Sequence, residues 1–483
     1  MKSITFTAML LVISLTAQAD SHRREPAAQL YPKNFLWGAA LSAHQAEGLS
    51  GGGENGNWYK FEHSLKPNIE NGDNADIAAD FWNRYEEDLQ IGKKMGLNTL
   101  RTSLAWEKIE PSAGVFSTDA INHYHSIFQR MHDLGMRPMI ALHHFVNPQW
   151  FDDRGGWISP DAPKMFLEYA TFVVAQLSDV CDLWITFNEP VVYVDMAYLA
   201  GMIPPQMSGL DNAFEAAFEL ARAHRMVAAM VHQKQGLSRN RPGGPIKGVG
   251  MVNSLQIYDP FDPESSDDQR AAQTLADLSN WDFIRGVAGN GMKFDIPAEV
   301  PGGHSFDRAF PAQDMAPGSG PALDWIGVNY YTQWLIRYNL QSGVHAEWVV
   351  PDLPKDDSGG AIYPAGLERI LRQTADHFPG IPLILSENGL ADGKDTHRPQ
   401  FIRDHLASLD GAVFGSKQGP ALDVRGYYHW SLMDNFEWTS GYKYQFGLVQ
   451  ILRDDHLKRV PRPSAQTFTD EILKRSPARK HWW

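Results

Sequence analysis

Short apolar runs alternate along the chain with longer stretches whose apolar residues recur three and four positions apart. The first pattern suits strands and the second suits helices that cover a sheet. Strands are predicted at Phe35–Ala40, Asn98–Ser103, Pro138–Leu142, Leu183–Thr186, Gly248–Asn253, Asp324–Val328, Leu383–Leu385 and Val424–His429. Amphipathic helices are predicted at Ile77–Met95, Ile121–Leu134, Pro163–Val180, Ala213–Gln235 and Phe401–Leu409. Strands alternating with helices in this number point to an α/β fold, a single closed (β/α)8 TIM barrel rather than an open sheet. Pro- and Gly-rich pieces at 49–73, 236–247, 301–322 and 351–361 are the expected long loops. No short repeat and no low-complexity linker interrupts the pattern.

Composition changes the picture only by exclusion. Lys+Arg is 43 against Asp+Glu 57, a net charge of −14 on 483 residues. That acidity leaves no basic footprint for nucleic acid or an anionic lipid surface, so neither is an expected partner. Cys181 is the sole cysteine, which excludes an intrachain disulfide and a cysteine-based zinc site. Aromatic residues at 11%, with 15 Trp, exclude a disordered chain.

The first residues carry a separate signal. Lys2 precedes an apolar stretch, and Ala17-Gln-Ala19 follows it. This is the pattern of a secretory signal peptide, with an apolar part too short to serve as a stop-transfer helix. Residues 1–19 are expected to be cleaved after Ala19, leaving 20–483 as the barrel domain of an exported (periplasmic or secreted) protein. No later stretch of the sequence is long and apolar enough for a stable membrane anchor.

Chemistry collects at the predicted strand ends. His143 and His144 follow the third strand, Asn188 and Glu189 the fourth, and Asn329 and Tyr331 the sixth. Glu387 and Asn388 follow the seventh and Trp430 the eighth. In a barrel these ends converge on one face, where active sites lie. Glu189 and Glu387 would then face each other across the barrel mouth. Two such carboxyls are what glycoside cleavage requires, one to protonate the leaving oxygen and one to attack or shield the developing oxocarbenium ion. Asn188, beside the acid, is placed to bond a sugar 2-hydroxyl. His143 and His144 are a poor metal pair, because adjacent strand residues point to opposite faces. Taken singly, a Glu before a Pro or an Asn-Gly pair signals only a helix start or a turn.

Seven blocks in order extend this reading: Phe35–Gly48, Leu142–Phe145, Gly155–Trp157, Thr186–Pro190, Ile326–Tyr331, Ser386–Gly389 and His429–Trp438. With these blocks the chain resembles glycoside hydrolase family 1, the retaining β-glucosidase family, from Phe35 to about Phe468. The resemblance implies a β-glycosidase with Glu189 as acid/base and Glu387 as nucleophile. It also implies that Gln45, Glu437 and Trp438 contact the 3-, 4- and 6-hydroxyl side of the glycone. His144 would hold the 3-hydroxyl and Asn188 the 2-hydroxyl, while Trp430 stacks on the ring. Tyr331 and Arg101 would sit beside Glu387. No cofactor or metal is implied, and the partner is a small β-glycoside substrate. Glucose, galactose and fucose all remain open as the glycone.

The chain departs from the family pattern in places. Trp106–Pro111 reads Trp-Glu-Lys-Ile-Glu-Pro where Trp-Ser-Arg-Ile-x-Pro is usual. Gly441–Gly447 carries Gln445 where Arg is usual. Gly360 stands where a Trp commonly forms a platform for the leaving group. Glu437 occupies the position of a Ser in members that cleave phospho-sugars, and a carboxylate there would repel a 6-phosphate. Three further readings stand beside hydrolysis. One is a transglycosidase delivering the sugar to a lipid or alcohol acceptor, since Ala361–Pro364 and Lys443–Val449 are similar to the family's galactolipid-galactosyltransferase branch. The second is a sugar-binding barrel without catalysis, which the presence of both carboxyls disfavours. The third, a metal-dependent barrel hydrolase, lacks clustered His and Asp spacing.

Overall fold

The computed structural model describes residues 30–236, 240, 244–296, 305–314, 321–342 and 345–476. The Met1–Ala19 segment lies outside them. Eight strands form the centre: β1 (Leu36–Ala40), β2 (Thr99–Ser103), β3 (Arg137–His143), β4 (Leu183–Asn188), β5 (Gly248–Ser254), β6 (Trp325–Asn329), β7 (Leu383–Gly389) and β8 (Val424–Trp430). All are parallel to their neighbours, and β1 pairs with both β2 and β8, so the sheet closes into a barrel. Each strand is thus buried on both faces, which is why its sequence reads as a nearly continuous apolar run.

Alternate residues fill two different cores. Leu36, Met139, Ile185, Val252, Trp325, Ile384 and Tyr428 belong to a cluster inside the barrel. Trp37, Ile140, Trp184 and Phe187 belong to the larger cluster between barrel and helices. The interior accommodates its largest rings only because small residues face them. A Cβ on Gly38 would lie 2.6 Å from the Tyr428 ring, and one on Gly250 would lie 2.4 Å from the Trp325 ring.

Every predicted strand is present, but several run further than their apolar runs. His143, Asn188, Asn329, Glu387, Asn388 and Trp430 lie within paired strand ends rather than after them. Their backbones pair with adjacent strands, so polar side chains there are carried on rigid supports. The helix expected over Ile77–Met95 begins instead at Phe81. Ala78 and Asp80 adopt positive φ of 48° and 56°. The carbonyls of Ala78 and Ala79 accept from Arg453 and Arg459 at 2.7 and 2.6 Å, and Arg459 also pairs with Asp88 inside the helix. Arginines far along the chain therefore set where this helix starts.

The expected loops contain structure of their own. The 49–73 region holds the helix Asn57–Glu62, whose Trp58 is fully buried. Strand Ser305–Ala309, inside the expected 301–322 loop, pairs with Gly291–Asp295. A three-stranded sheet of Ile257–Pro260, Gln333–Tyr338 and Ala346–Val349 sits outside the barrel. No helix among the described residues is long and apolar enough to cross a membrane.

The filled barrel interior generates a prediction. Gly38→Ala drives a methyl into the Tyr428 ring and the Thr99 methyl, both held by the sheet. The expected cost is about 1–3 kcal/mol of stability, read as a lower denaturant midpoint at unchanged slope. An unchanged midpoint would show that the interior has slack.

Candidate active site

The ends of β3, β4, β6, β7 and β8 carry side chains into one cavity of about 540 Å³. Gln45, His144, Asn188, Glu189, Tyr331, Glu387, Trp430, Glu437 and Trp438 all line it. Of the residues to which the family resemblance gave a role, only Arg101 is not in the lining. It lies just beneath, 1% exposed. A larger cavity, about 860 Å³, opens at the opposite end of the barrel beside Asn98, Arg137 and Asp182, and none of these candidates reaches it.

Two backbone irregularities aim the carboxyls. Between Leu385 and Glu387 the pairing of β7 with β6 shifts register, which sets Glu387 opposite Asn329. Such a bulge turns a side chain away from the regular alternation. Glu189, directly after β4, lies in the left-handed region, with φ 44° and ψ 57°, before Pro190 opens a short helix. Its N–H still donates to the Val252 carbonyl at 2.7 Å, so the sheet holds a conformation that a non-glycine residue adopts only under constraint.

Arg101 organises the floor. Its guanidinium pairs with one oxygen of Glu387 and donates to Asn188 Oδ1 at 2.5 Å. The Tyr331 hydroxyl donates to the other oxygen of Glu387 at 2.6 Å. Arginine can only donate, so Asn188 must turn its amide nitrogen the other way. That nitrogen lies 3.1 Å from His144 Nε2, which then accepts and leaves the proton on Nδ1. Burial, with Arg101 and His143 adding to it, holds the His144 pKa well below its usual value, so the ring is neutral. Nδ1 is buried and has no protein partner. His144 thus presents an unused donor in the cavity wall.

His143 points the other way, as strand alternation requires. It bonds Asn147 at 2.9 Å and packs among Trp157, Phe187 and Tyr193. Among the described residues one acidic group escaped the sequence reading: Glu62, His63 and Asp76 bring ligand atoms within 4.8 Å of one another. Glu62 is already committed to His44 at 2.6 Å and to the Ala75 N–H at 3.0 Å. The group is held by hydrogen bonds of its own, with His63 and Asp76 partly exposed.

The carboxyls differ in electrostatic setting. Burial pushes Glu189 up to about 8, the nearby charge of Glu387 adds to this, and Asn329 and Arg101 oppose it. Asn329 donates to Glu189 Oε1 at 2.8 Å. Glu387 is ion-paired. One carboxyl therefore carries a proton at neutral pH beside one that is matched to a guanidinium. Burial also pushes Glu437 up to about 8, against the Trp430 side chain. Gln45 donates weakly to one of its oxygens at 3.4 Å, and the other is buried without a partner. Trp438 is wedged beside it, parallel to His44 and tilted against Trp58.

Sequence reasoning placed Asn329 at a strand end but assigned it no role, and did not single out Trp334 or Phe446, which also line the cavity. Trp334 and Phe446 sit outside the barrel strands, so no strand-end signal marked them. The expected loop at 351–361 reaches the cavity through Asp356, Ser358, Gly359, Gly360 and Ala361. The departures from the family pattern at Lys108 and Gln445 are locally compensated. Lys108 bonds Glu47 at 2.8 Å and the Gly48 carbonyl at 2.9 Å. Gln445 accepts from Arg462 at 2.7 Å, and Arg462 also pairs with Asp434.

The glycosyl hydrolase family 1 model matches residues 27–476. The chain belongs to glycosyl hydrolase family 1. Beta-glucosidase A of Thermotoga maritima is 28% identical over 459 residues, covering 92% of this chain and 97% of that protein. A beta-galactosidase of Pyrococcus woesei is 25% identical, covering 92% and 97%. The solved structure of a beta-glycosidase from Pyrococcus horikoshii superimposes with TM-score 0.78 at 30% identity, covering 93% and 96%. This chain is a β-glycosidase, and the cavity at the strand ends is where this fold puts its chemistry.

Glu437 tests the electrostatics of the site. Its folded pKa of about 8 stands above the ordinary 4.5. The stability it contributes is complete below pH 4.5 and is lost as pH rises to 8. Glu437→Gln cannot titrate, so its Tm relative to the parent chain should climb across that window. A flat or falling difference would contradict the buried, unsatisfied carboxyl.

Proposed function

We propose that the chain is a retaining exo-β-glycosidase acting on small β-glucosides or β-galactosides, with Glu387 as nucleophile and Glu189 as acid/base. What carries this reading is the opposite settings of the two carboxyls, one ion-paired to Arg101 and the other pushed up to about 8. In the first step a Glu387 oxygen bonds the anomeric carbon while the glycosidic C–O bond breaks. The electron pair leaves with the oxygen, which takes the Glu189 proton. In the second step Glu189, now a carboxylate, removes a proton from water. The water oxygen attacks the same carbon and Glu387 departs, so two inversions give retention.

The glycone is proposed to lie against Gln45, Glu437 and Trp438, with Trp430 under the ring. The unused N–H of His144 is a donor for a sugar hydroxyl. Both heteroatoms of the Asn188 amide are already bonded, so its contact with a 2-hydroxyl requires sharing its nitrogen with His144. The relatives named as beta-glucosidases and as a beta-galactosidase support both sugars as substrates. Val192, Trp334, Val350 and Ile362 line the rest of the cavity. Val192 follows Glu189 closely in the chain, and Trp334 follows its partner Asn329. The acid must reach the leaving oxygen, so this apolar side is assigned to the aglycone, with Trp334 in place of the platform absent at Gly360.

We further propose that the protein is exported, on the pattern of Met1–Ala19. N-terminal sequencing of active protein from its native host should begin at Asp20, and recovery of Met1 or Lys2 would refute export by cleavage.

The two glutamates are separable by azide. Glu189→Gln should lose on the order of 10²–10⁴ in rate on substrates whose leaving group needs a proton. With a nitrophenyl substrate the glycosyl-enzyme should accumulate, and azide should release a glycosyl azide of retained configuration. Glu387→Gly should give the inverted azide. The same anomer from both would overturn the assignment of roles, and hydrolysis replaced by transfer to an added alcohol in the parent enzyme would overturn the reading as a hydrolase.

A further inference from the structure

Asn329 holds the proton-bearing carboxyl, and its own orientation depends on a residue with no place in the scheme above. Its amide nitrogen faces two acceptors, Glu189 Oε1 at 2.8 Å and Asn188 Oδ1 at 3.3 Å. The second is an acceptor by necessity, because Arg101 donates to it. The amide oxygen of Asn329 therefore points away from Glu189, toward β7. There the Ser386 hydroxyl meets it at 2.8 Å. Ser386 is completely buried, as is Asn329. A buried amide oxygen without a donor costs about 1–3 kcal/mol, so the hydroxyl secures the orientation that Asn188 Oδ1 selects.

We propose that Ser386 is a positioning residue for acid/base catalysis: its hydroxyl locks the Asn329 amide with the nitrogen toward Glu189, and so regulates the proton affinity of that carboxyl. The inference rests on Glu189 being the acid/base. The groups that face Glu189 are Glu387 on β7, Arg101 on β2, and Asn329 and Tyr331 at and after the end of β6. Glu387 favours the protonated form, whereas Arg101 and the Asn329 N–H favour the ionised one. Tyr331 is held neutral by burial and bonds Glu387. Only the Asn329 contribution depends on which way a side chain is turned. With Ser386 removed, the amide either swings away or offers its oxygen to the protonated carboxyl. Both outcomes raise the pKa of Glu189.

The test is the pH profile of kcat/KM on an alkyl β-glucoside, whose leaving group needs acid help. Its alkaline limb reports the acid in the free enzyme. Ser386→Ala should move that limb up by about one pH unit, the worth of one hydrogen bond to a charged group. Ser386→Thr, which restores a hydroxyl, should return it to the parent position. Ser386→Cys, a weaker donor, should lie between and serves if the Ala variant does not fold. Asn329→Ala should also raise the limb, and adding Ser386→Ala to it should produce no further shift. A Ser386→Ala profile that loses height without moving, or a further shift in the double variant, would overturn the role of Ser386. An alkaline limb that persists unchanged in Glu189→Gln would instead overturn the assignment of Glu189.

Discussion

The polar groups around the two paired carboxyls are arranged about the buried guanidinium of Arg101. A charge removed from water is tolerated only with good partners, and here these are Glu387, Asn188 and the Ser386 carbonyl. Because arginine cannot accept, its contacts impose a direction on each group beyond them. Asn188 must present oxygen to it and nitrogen to His144. His144 must then keep its proton on the free side of the ring. Asn329 must offer nitrogen to Asn188 and Glu189, and oxygen to Ser386. A network of amides and an imidazole, each of which has two orientations, is thereby reduced to one.

The packing below supports that order. Tyr428 and Trp325 fill the barrel interior against Gly38 and Gly250, so the strands that carry Arg101, Asn329 and Glu387 have little freedom to shift. The polar strand ends are themselves paired, and a register shift in β7 and a left-handed residue after β4 point the two carboxyls inward. Preorganisation of this kind matters for glycoside cleavage, because donors and charges must be in place where charge develops. The site tolerates unsatisfied groups for the same reason. The orphan oxygen of Glu437 and the orphan N–H of His144 are what a sugar's hydroxyls can satisfy.

Much of this was legible along the chain. The eight apolar runs were strands because strands buried on both faces need little polar alternation. Glu189 and Glu387 were recognisable because each stood at the end of such a run. The helix start at Phe81 was not legible, since it depends on Arg453 and Arg459 reaching back across the fold. Trp334 was missed because it lies in a peripheral sheet, away from the barrel strand ends where chemistry was sought. Ser386 was hidden in plain view beside Glu387, because a lone serine carries no signal until its partner is known.

The sequence by itself determined the barrel, the family, and which side chains gather at its mouth. Those properties follow from local periodicity and from short contiguous blocks, which neighbouring residues are enough to define. Tertiary structure alone supplied the reason that Glu189 rather than Glu387 carries the proton, and decided which way the amides face and which nitrogen of His144 is protonated. Each of these depends on burial and on the donor or acceptor character of residues tens to hundreds of positions away. Proton affinity and hydrogen-bond direction are properties of an enclosed neighbourhood, and only the closed barrel creates it.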